Sequence, residues 1–289
     1  MFGNLLRTIT NRTPDTRIAF DRTGEWVPGC PCGIYTIHPD GSDCKLIHKT
    51  GATPRWSSDG RWITFTDTTR DNGGLNSVFA MRSNGEDVRR LTTHHDVSAT
   101  TPTWSPDSTK IAYSLFLWSE KRYQLCVVDF ASQQWTHLAY AAIEIYPVWT
   151  PYNTIVFSSP DDEGTVRLYE VDTTNRNQRP VPRFETGDAE PVWTWDGKWV
   201  VFGRDGGFAV MNTATGETRF FATEWTAIQW SISPDGEHVV YTSQEAGTVA
   251  GFEVFVIRLY DGFKRKLVSN PIVDDHEVDS RYVSWSPWL

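Results

Sequence analysis

The chain has 289 residues, a formal net charge of −9, 39% apolar residues and 14 tryptophans. That much bulky apolar material excludes a disordered chain, and no apolar run approaches the roughly 18 residues of a membrane-spanning helix. The acidic balance sets up no field that would draw a polyanion, so nucleic acid is not an expected partner.

From the N-terminus, residues 1–13 read as a tail and residues 14–289 as one repeat-built domain. The tail carries Phe2, Leu5, Leu6 and Ile9. It either docks on its own domain, stays disordered or adds a strand to a neighbouring sheet edge. The opening residues contain neither an apolar h-region nor a small-residue cleavage site, so no secretory signal is expected in the sequence as given. A periplasmic or extracellular protein would already have lost its leader. Asn11-Arg-Thr matches a glycosylation sequon by pattern alone. Strand signals follow at residues 17–21, 34–38 and 45–48. Cys30, Cys32 and Cys44 lie close in sequence and Cys126 sits in an apolar run. With no zinc-ribbon spacing among them, they read as buried thiols or one local disulfide.

An internal repeat then takes over. Pro54-Arg-Trp-Ser-Ser-Asp-Gly-Arg-Trp-Ile-Thr-Phe-Thr recurs as Pro102-Thr-Trp-Ser-Pro-Asp-Ser-Thr-Lys-Ile-Ala-Tyr-Ser and as Pro191-Val-Trp-Thr-Trp-Asp-Gly-Lys-Trp-Val-Val-Phe-Gly. Looser copies start at Pro147 and Ile228, and a truncated one, Val283-Ser-Trp-Ser-Pro-Trp-Leu, ends the chain. The anchoring residues are Trp56, Trp104, Trp149, Trp193, Trp230 and Trp285, spaced by roughly 37 to 55 residues, the range of a four-stranded propeller blade. Each copy predicts a short Pro-x-Trp-Ser strand, a Pro-Asp-Gly type turn, a β-branched and aromatic strand, a third strand and a fourth after a polar turn. Asp59, Asp107, Asp196 and Asp235 are expected as turn residues, and the tryptophans as packing between blades. The N-terminal strands lack a first strand and the C-terminus supplies only that strand. Joined, they complete a sixth blade and close the ring. The expected fold is all-β, a six-bladed β-propeller of four-stranded antiparallel blades.

These units resemble the propeller repeats of the TolB family, as seen in Ile34-Tyr-Thr-Ile-His-Pro-Asp-Gly, Arg89-Arg-Leu-Thr-Thr, Trp104-Ser-Pro-Asp and Ser233-Pro-Asp-Gly. The resemblance covers nearly the whole chain. It implies the fold and leaves the function open, because the same repeat serves periplasmic scaffold proteins, serine-peptidase propeller domains and oligogalacturonate lyases. The sequence as given has no separate N-terminal domain like that of TolB itself.

No Gly-x-Ser-x-Gly elbow, phosphate-binding Gly-rich loop or His-Glu-x-x-His helix occurs. Serine hydrolase, nucleotide and zincin chemistry therefore lack their parts. Segments just before each Trp-Ser strand face the channel of a propeller. There the chain offers His94, His95, Asp96, Glu144, Asp188, Glu190, Glu224 and the cluster Asp274, Asp275, His276, Glu277 and Asp279. His94, His95, Asp275 and His276 form a candidate set for a divalent metal ion, against the plain reading of solvated loops. Residues 115–123 lengthen a hairpin with Leu115, Phe116, Leu117, Trp118 and Tyr123, which either bind a partner or cover the neighbouring blade. Two functions remain. One is a non-catalytic scaffold holding a protein partner or further copies of itself. The other is a metal-dependent, lyase-like enzyme or sugar binder taking an acidic oligosaccharide at the channel mouth.

Overall fold

Short β-branched and aromatic segments such as Gly33–Ile37 and Trp62–Thr68 are buried in unbroken runs, which a strand achieves only when its sheet is covered by a neighbouring sheet on each face. In the computed structural model this produces six sheets of antiparallel strands arranged as a six-bladed propeller, with no α-helix among the described residues. The structure describes residues 16–24, 31–68, 72–93, 97–161, 163–223, 226–244, 251–268, 272–273 and 276–287. Among them no helix is long and apolar enough to cross a membrane.

Blade I comprises Ala52–Trp56, Trp62–Thr68, Asn76–Arg82 and Arg89–Arg90. Blade II comprises Ser98–Trp104, Lys110–Leu117, Arg122–Asp129 and Trp135–Ala141. Blade III has Val148–Trp149, Thr154–Pro160, Val166–Asp172 and Gln178–Pro180. Blade IV has Ala189–Trp193, Trp199–Arg204, Gly207–Asn212 and Thr218–Phe221, and blade V has Thr226–Ile232, His238–Gln244, Glu253–Arg258 and Lys264–Val268. The closing blade joins the two ends of the chain. Its inner strand Val283–Trp285 pairs antiparallel with Ile18–Gly24, Ile18 opposite Trp285 and Phe20 opposite Val283. Gly33–Ile37 and Lys45–His48 follow outward.

Side chains explain the repeat letter by letter. In blade I the Asp59 carboxylate accepts from Ser57 Oγ at 2.6 Å and from the Arg61 amide at 3.0 Å, while Ser57 Oγ accepts from the Trp62 amide at 3.0 Å. Asp107, Asp196 and Asp235 repeat the pattern with Ser105, Thr194 and Ser233. Gly60 follows Asp59 with φ +69°, which glycine adopts without steric cost. Blade III, which lost the Asp-Gly pair, closes its turn with Asn153 at φ +63° and a Thr150–Thr154 hydroxyl bond of 2.7 Å.

Five of the repeat tryptophans are 5% exposed or less, and Trp193 is half-buried. Trp104 packs with Trp62, Val78 and Leu91 of blade I, Trp149 with residues of blade II, Trp230 with Val201 and Phe208 of blade IV, and Trp285 with Val240 and Val254 of blade V. Each seals the gap to the preceding blade, and the core is this chain of interblade seams rather than one central mass.

Candidate functional site

Because the blades radiate, their six inner strands surround a central channel. The residue just before each repeat tryptophan lines it: Arg55, Thr103, Val148, Val192, Gln229 and Ser284. Four inner strands shift register just before this position, as bulged strands do where a side chain is re-aimed. Three of the bulges hold a residue before proline in the left-handed region: Thr53 at φ +56°, Thr101 at +50° and Glu190 at +48°. A β-branched or pre-proline residue reaches that region only at a cost of roughly 1–3 kcal/mol. These three bulges therefore hold backbone strain beside the channel.

A hydrogen-bonded chain crosses the channel. Arg55 donates to the Val283 carbonyl at 2.9 Å and to Gln229 Oε1 at 2.7 Å, and Gln229 Nε2 donates to Glu190 Oε2. Four blades are thereby tied together: the closing blade, I, V and IV. Burial pushes the Glu190 carboxyl up to about 7, against the pull of Arg55, and Glu144 adds to the rise. Glu144 accepts from Thr100 Oγ1 at 3.0 Å and Tyr146 Oη at 3.2 Å. Asp21, fully buried on the closing blade, accepts from the backbone amides of Thr53, Arg281 and Tyr282 at 3.2, 3.0 and 3.0 Å. Burial outweighs those bonds and raises its carboxyl to about 6. Burial thus raises the carboxyls of Glu190 in the channel and of Asp21 on the closing blade, and the Arg55 guanidinium, which attracts both, is already committed to Val283 and Gln229.

The candidate residues from sequence fare differently. His94, His95, Asp96 and Asp275 fall outside the described residues, as does Cys30. His276 begins a strand, His276–Asp279, which pairs Asp279 with Thr23 and Val278 with Gly24. This acidic segment is sheet rather than connecting loop. Asp188 is buried, bound at both oxygens by Arg204 at 2.7 Å and at one of them by the Glu185 amide, a charge paired inside the protein. Asp235, Glu237 and His238 approach one another on the blade V turn, but Asp235 is already held by Ser233 and the Glu237 amide. Cys126 is a buried thiol raised by that burial to about 12, an inert core residue.

On blade II the hairpin forms as expected, with Phe116 opposite Tyr123 and Leu117 opposite Arg122. Leu115 is buried between blades I and II and presents nothing outward. Trp118 is 56% exposed at the tip. Its ring stands edge-on to Phe116 at 4.6 Å, Phe116 meets Tyr123 at 4.7 Å, and the Arg122 guanidinium lies 3.6 Å from the centre of the exposed Tyr140 ring. Sequence reasoning missed Asp21, Arg55, Gln229, Tyr146 and Tyr282. Arg55 and Gln229 could have been found, since they are the long polar residues at a repeat position otherwise filled by Thr, Val or Ser.

Fold and channel define a six-bladed propeller built from Trp-Ser-Pro-Asp-Gly units. The family model of the TolB beta propeller domain matches residues 30–185 and 93–286, and the chain belongs to that family. The Tol-Pal system protein TolB of Francisella tularensis subsp. mediasiatica (strain FSC147) is 24% identical over 244 residues, 82% of this chain and 54% of that protein. The chain therefore spans about half the length of such relatives. TolB from Acinetobacter baumannii superposes with a TM-score of 0.74 at 19% identity, over 95% of this chain and 67% of that one. An oligogalacturonate lyase in complex with manganese superposes with a TM-score of 0.57 at 13% identity, over 91% and 82% of the two chains. At these identities the superpositions show the shared fold alone.

Proposed function

We propose that the chain is a non-catalytic scaffold that holds a protein partner on the hairpin tip of blade II. The observation that carries this reading is the cluster in which Phe116 packs against both Trp118 and Tyr123, with Trp118 more than half exposed. Rigid aromatic side chains lose little conformational entropy on binding and dominate interface energies. The polar groups of the channel support it from the other side. Arg55, Gln229 and Glu190 are engaged with one another and hold blades together. The Francisella relative is named as a protein of the Tol-Pal system, which agrees with a role in an assembly of proteins.

Trp118→Ala tests the proposal. Because the side chain is exposed, the variant should melt within about 1 °C of the parent. A tagged parent chain captured from its native cells, quantified by mass spectrometry, should lose a defined partner at least tenfold in the variant, as a hot-spot loss of about 1.4 kcal/mol or more requires. An identical set of partners for both chains would sink the hairpin as the binding surface.

A further inference from the structure

Blades I and IV carry a second tryptophan at the same place, Trp62 and Trp199, whose amides donate to the hydroxyls of Ser57 and Thr194 at the turn. Blade I covers its indole. The Phe130 ring of blade II stands edge-on to Trp62 at 4.8 Å, the guanidinium groups of Arg82 and Arg89 lie over it at 4.1 and 4.7 Å, and both arginines pair with Asp87. Trp62 is 7% exposed. Blade IV changes each part of that cover. Asn212 stands opposite Trp199 where Arg82 stands opposite Trp62, and its Oδ1 turns back to accept from the Ala214 and Thr215 amides. Arg219, opposite Val210 as Arg89 is opposite Ala80, has its guanidinium over Phe221 at 5.2 Å. On blade V, Leu259 takes the place of Phe130 and Glu237 that of Thr109: the Leu259 amide donates to the Glu237 carbonyl at 2.8 Å, as the Phe130 amide does to Thr109 at 2.9 Å. The seam opens into a cavity of about 360 Å³ between Trp199, Glu217 and Arg219 of blade IV and Gly236, Glu237 and Tyr260 of blade V.

We propose that this cavity takes an arginine side chain of a partner protein, its guanidinium laid on Trp199 as that of Arg82 is laid on Trp62. The indole is half-buried and held against the Gly236 backbone, where a Cβ would meet its Cδ1 at 2.6 Å. Glu217 and Glu237 stand on the two walls, and among the described residues neither carboxylate forms an ion pair. Arg219 is the cation opposing them, which leaves the walls net negative. An aromatic face flanked by carboxylates attracts a cation, and a flat, weakly hydrated guanidinium stacks there at less desolvation cost than an ammonium. The volume falls in the roughly 300–1,000 Å³ range of small-ligand pockets. Blade I fills the equivalent place from its own chain; blade IV leaves it to a guest. A protein as the source of the arginine rests on the scaffold reading, whereas the guanidinium chemistry stands without it.

An NMR titration of the full chain with the capped tripeptide acetyl-Gly-Arg-Gly-amide tests it, following the Trp199 indole N–H, assigned by its loss in Trp199→Phe. A saturable shift is expected, with a Kd on the order of millimolar. The citrulline tripeptide, which keeps the shape and lacks the charge, should bind about tenfold more weakly or worse. Glu217→Gln combined with Glu237→Gln should weaken the arginine tripeptide by a similar factor. Leu259→Phe restores the ring that covers Trp62 in blade I and should abolish the shift. No saturable shift at Trp199 up to about 50 mM tripeptide overturns the proposal, as does equal binding of the citrulline form or indifference to the paired glutamine substitutions. Free arginine binding more tightly than the capped tripeptide would make the occupant a small molecule and overturn the partner. Trp118→Ala should bind the tripeptide as the parent does, so failure of the blade II hairpin as a binding surface and failure of this site are read separately.

Discussion

Deleting residues 283–289 should abolish the cooperative unfolding transition of the propeller, or lower it by more than 15 °C, a shift in the range of roughly 2–4 °C per kcal/mol for a large domain. The segment Val283–Trp285 is the inner strand of the closing blade and touches three blades at once. Val283 accepts from Arg55 of blade I, Ser284 Oγ accepts from the Trp56 amide, and the Trp285 amide donates to Ser231 Oγ of blade V. Ser286, fully buried, exchanges two bonds of 2.8 Å with the Arg17 backbone. Burying the Trp285 side chain removes about 150–250 Å² from water, worth on the order of 4–6 kcal/mol at 25 cal/mol per Å². That alone is comparable to the 5–15 kcal/mol by which a typical domain is stable. The deletion also uncovers the inner edge of Ile18–Gly24. Differential scanning calorimetry reads the result directly, and an unchanged transition would contradict ring closure by this strand. Trp285→Ala keeps the strand and loses only the plug, so it should cost about 3–5 kcal/mol and leave a cooperative transition at lower temperature.

Much of this architecture is visible in the sequence because the repeat encodes local physics. Ser57, Asp59 and Gly60 act within a few residues of one another, so a short motif suffices to specify them, and the tryptophan spacing counts the blades. The outer strands are less visible. Arg89–Arg90 and Gln178–Pro180 bury little, and a strand that buries little writes no alternating pattern. The channel is least visible of all. Asp21 closes a run of residues that reads as an ordinary N-terminal strand, yet its partners Arg281 and Tyr282 lie 260 and 261 residues away. The Thr-Pro and Glu-Pro steps before Trp56, Trp104 and Trp193 look like plain extended segments. Only the fold reveals Thr53, Thr101 and Glu190 in left-handed geometry at the bulges. The aromatic hairpin of blade II was legible as composition, but the burial of Leu115 and the exposure of Trp118 depend on the neighbouring blade.

Replacing Asp21 should change stability in a way that depends steeply on pH. Its carboxyl has an ordinary value of 3.8 in the open chain and about 6 in the fold, raised by burial. The folded state therefore binds the proton more tightly than the unfolded one. The stability this contributes is fully present below about pH 4 and is lost as pH rises through 6. A shift of that size amounts to roughly 3 kcal/mol between the two limits. Half-buried histidines such as His48, whose imidazole is lowered by burial, act with the opposite sign over part of the same range, so the test is a difference between two chains. Asp21→Asn resembles the protonated carboxyl. Its melting temperature, taken minus that of the parent, should rise between about pH 4 and pH 7 as the parent acquires a buried charge, and level off above. Asp21→Ala instead orphans the amides of Thr53, Arg281 and Tyr282, and at pH 5 should cost about 3–5 kcal/mol, the sum expected for several unsatisfied buried donors. Part of that loss should be recovered at pH 8, where the alanine also removes the charge. A flat difference between Asp21→Asn and the parent would mean that Asp21 keeps an ordinary carboxylate in the fold. A harmless Asp21→Ala would mean that the closing segment is held by the tryptophan plug alone.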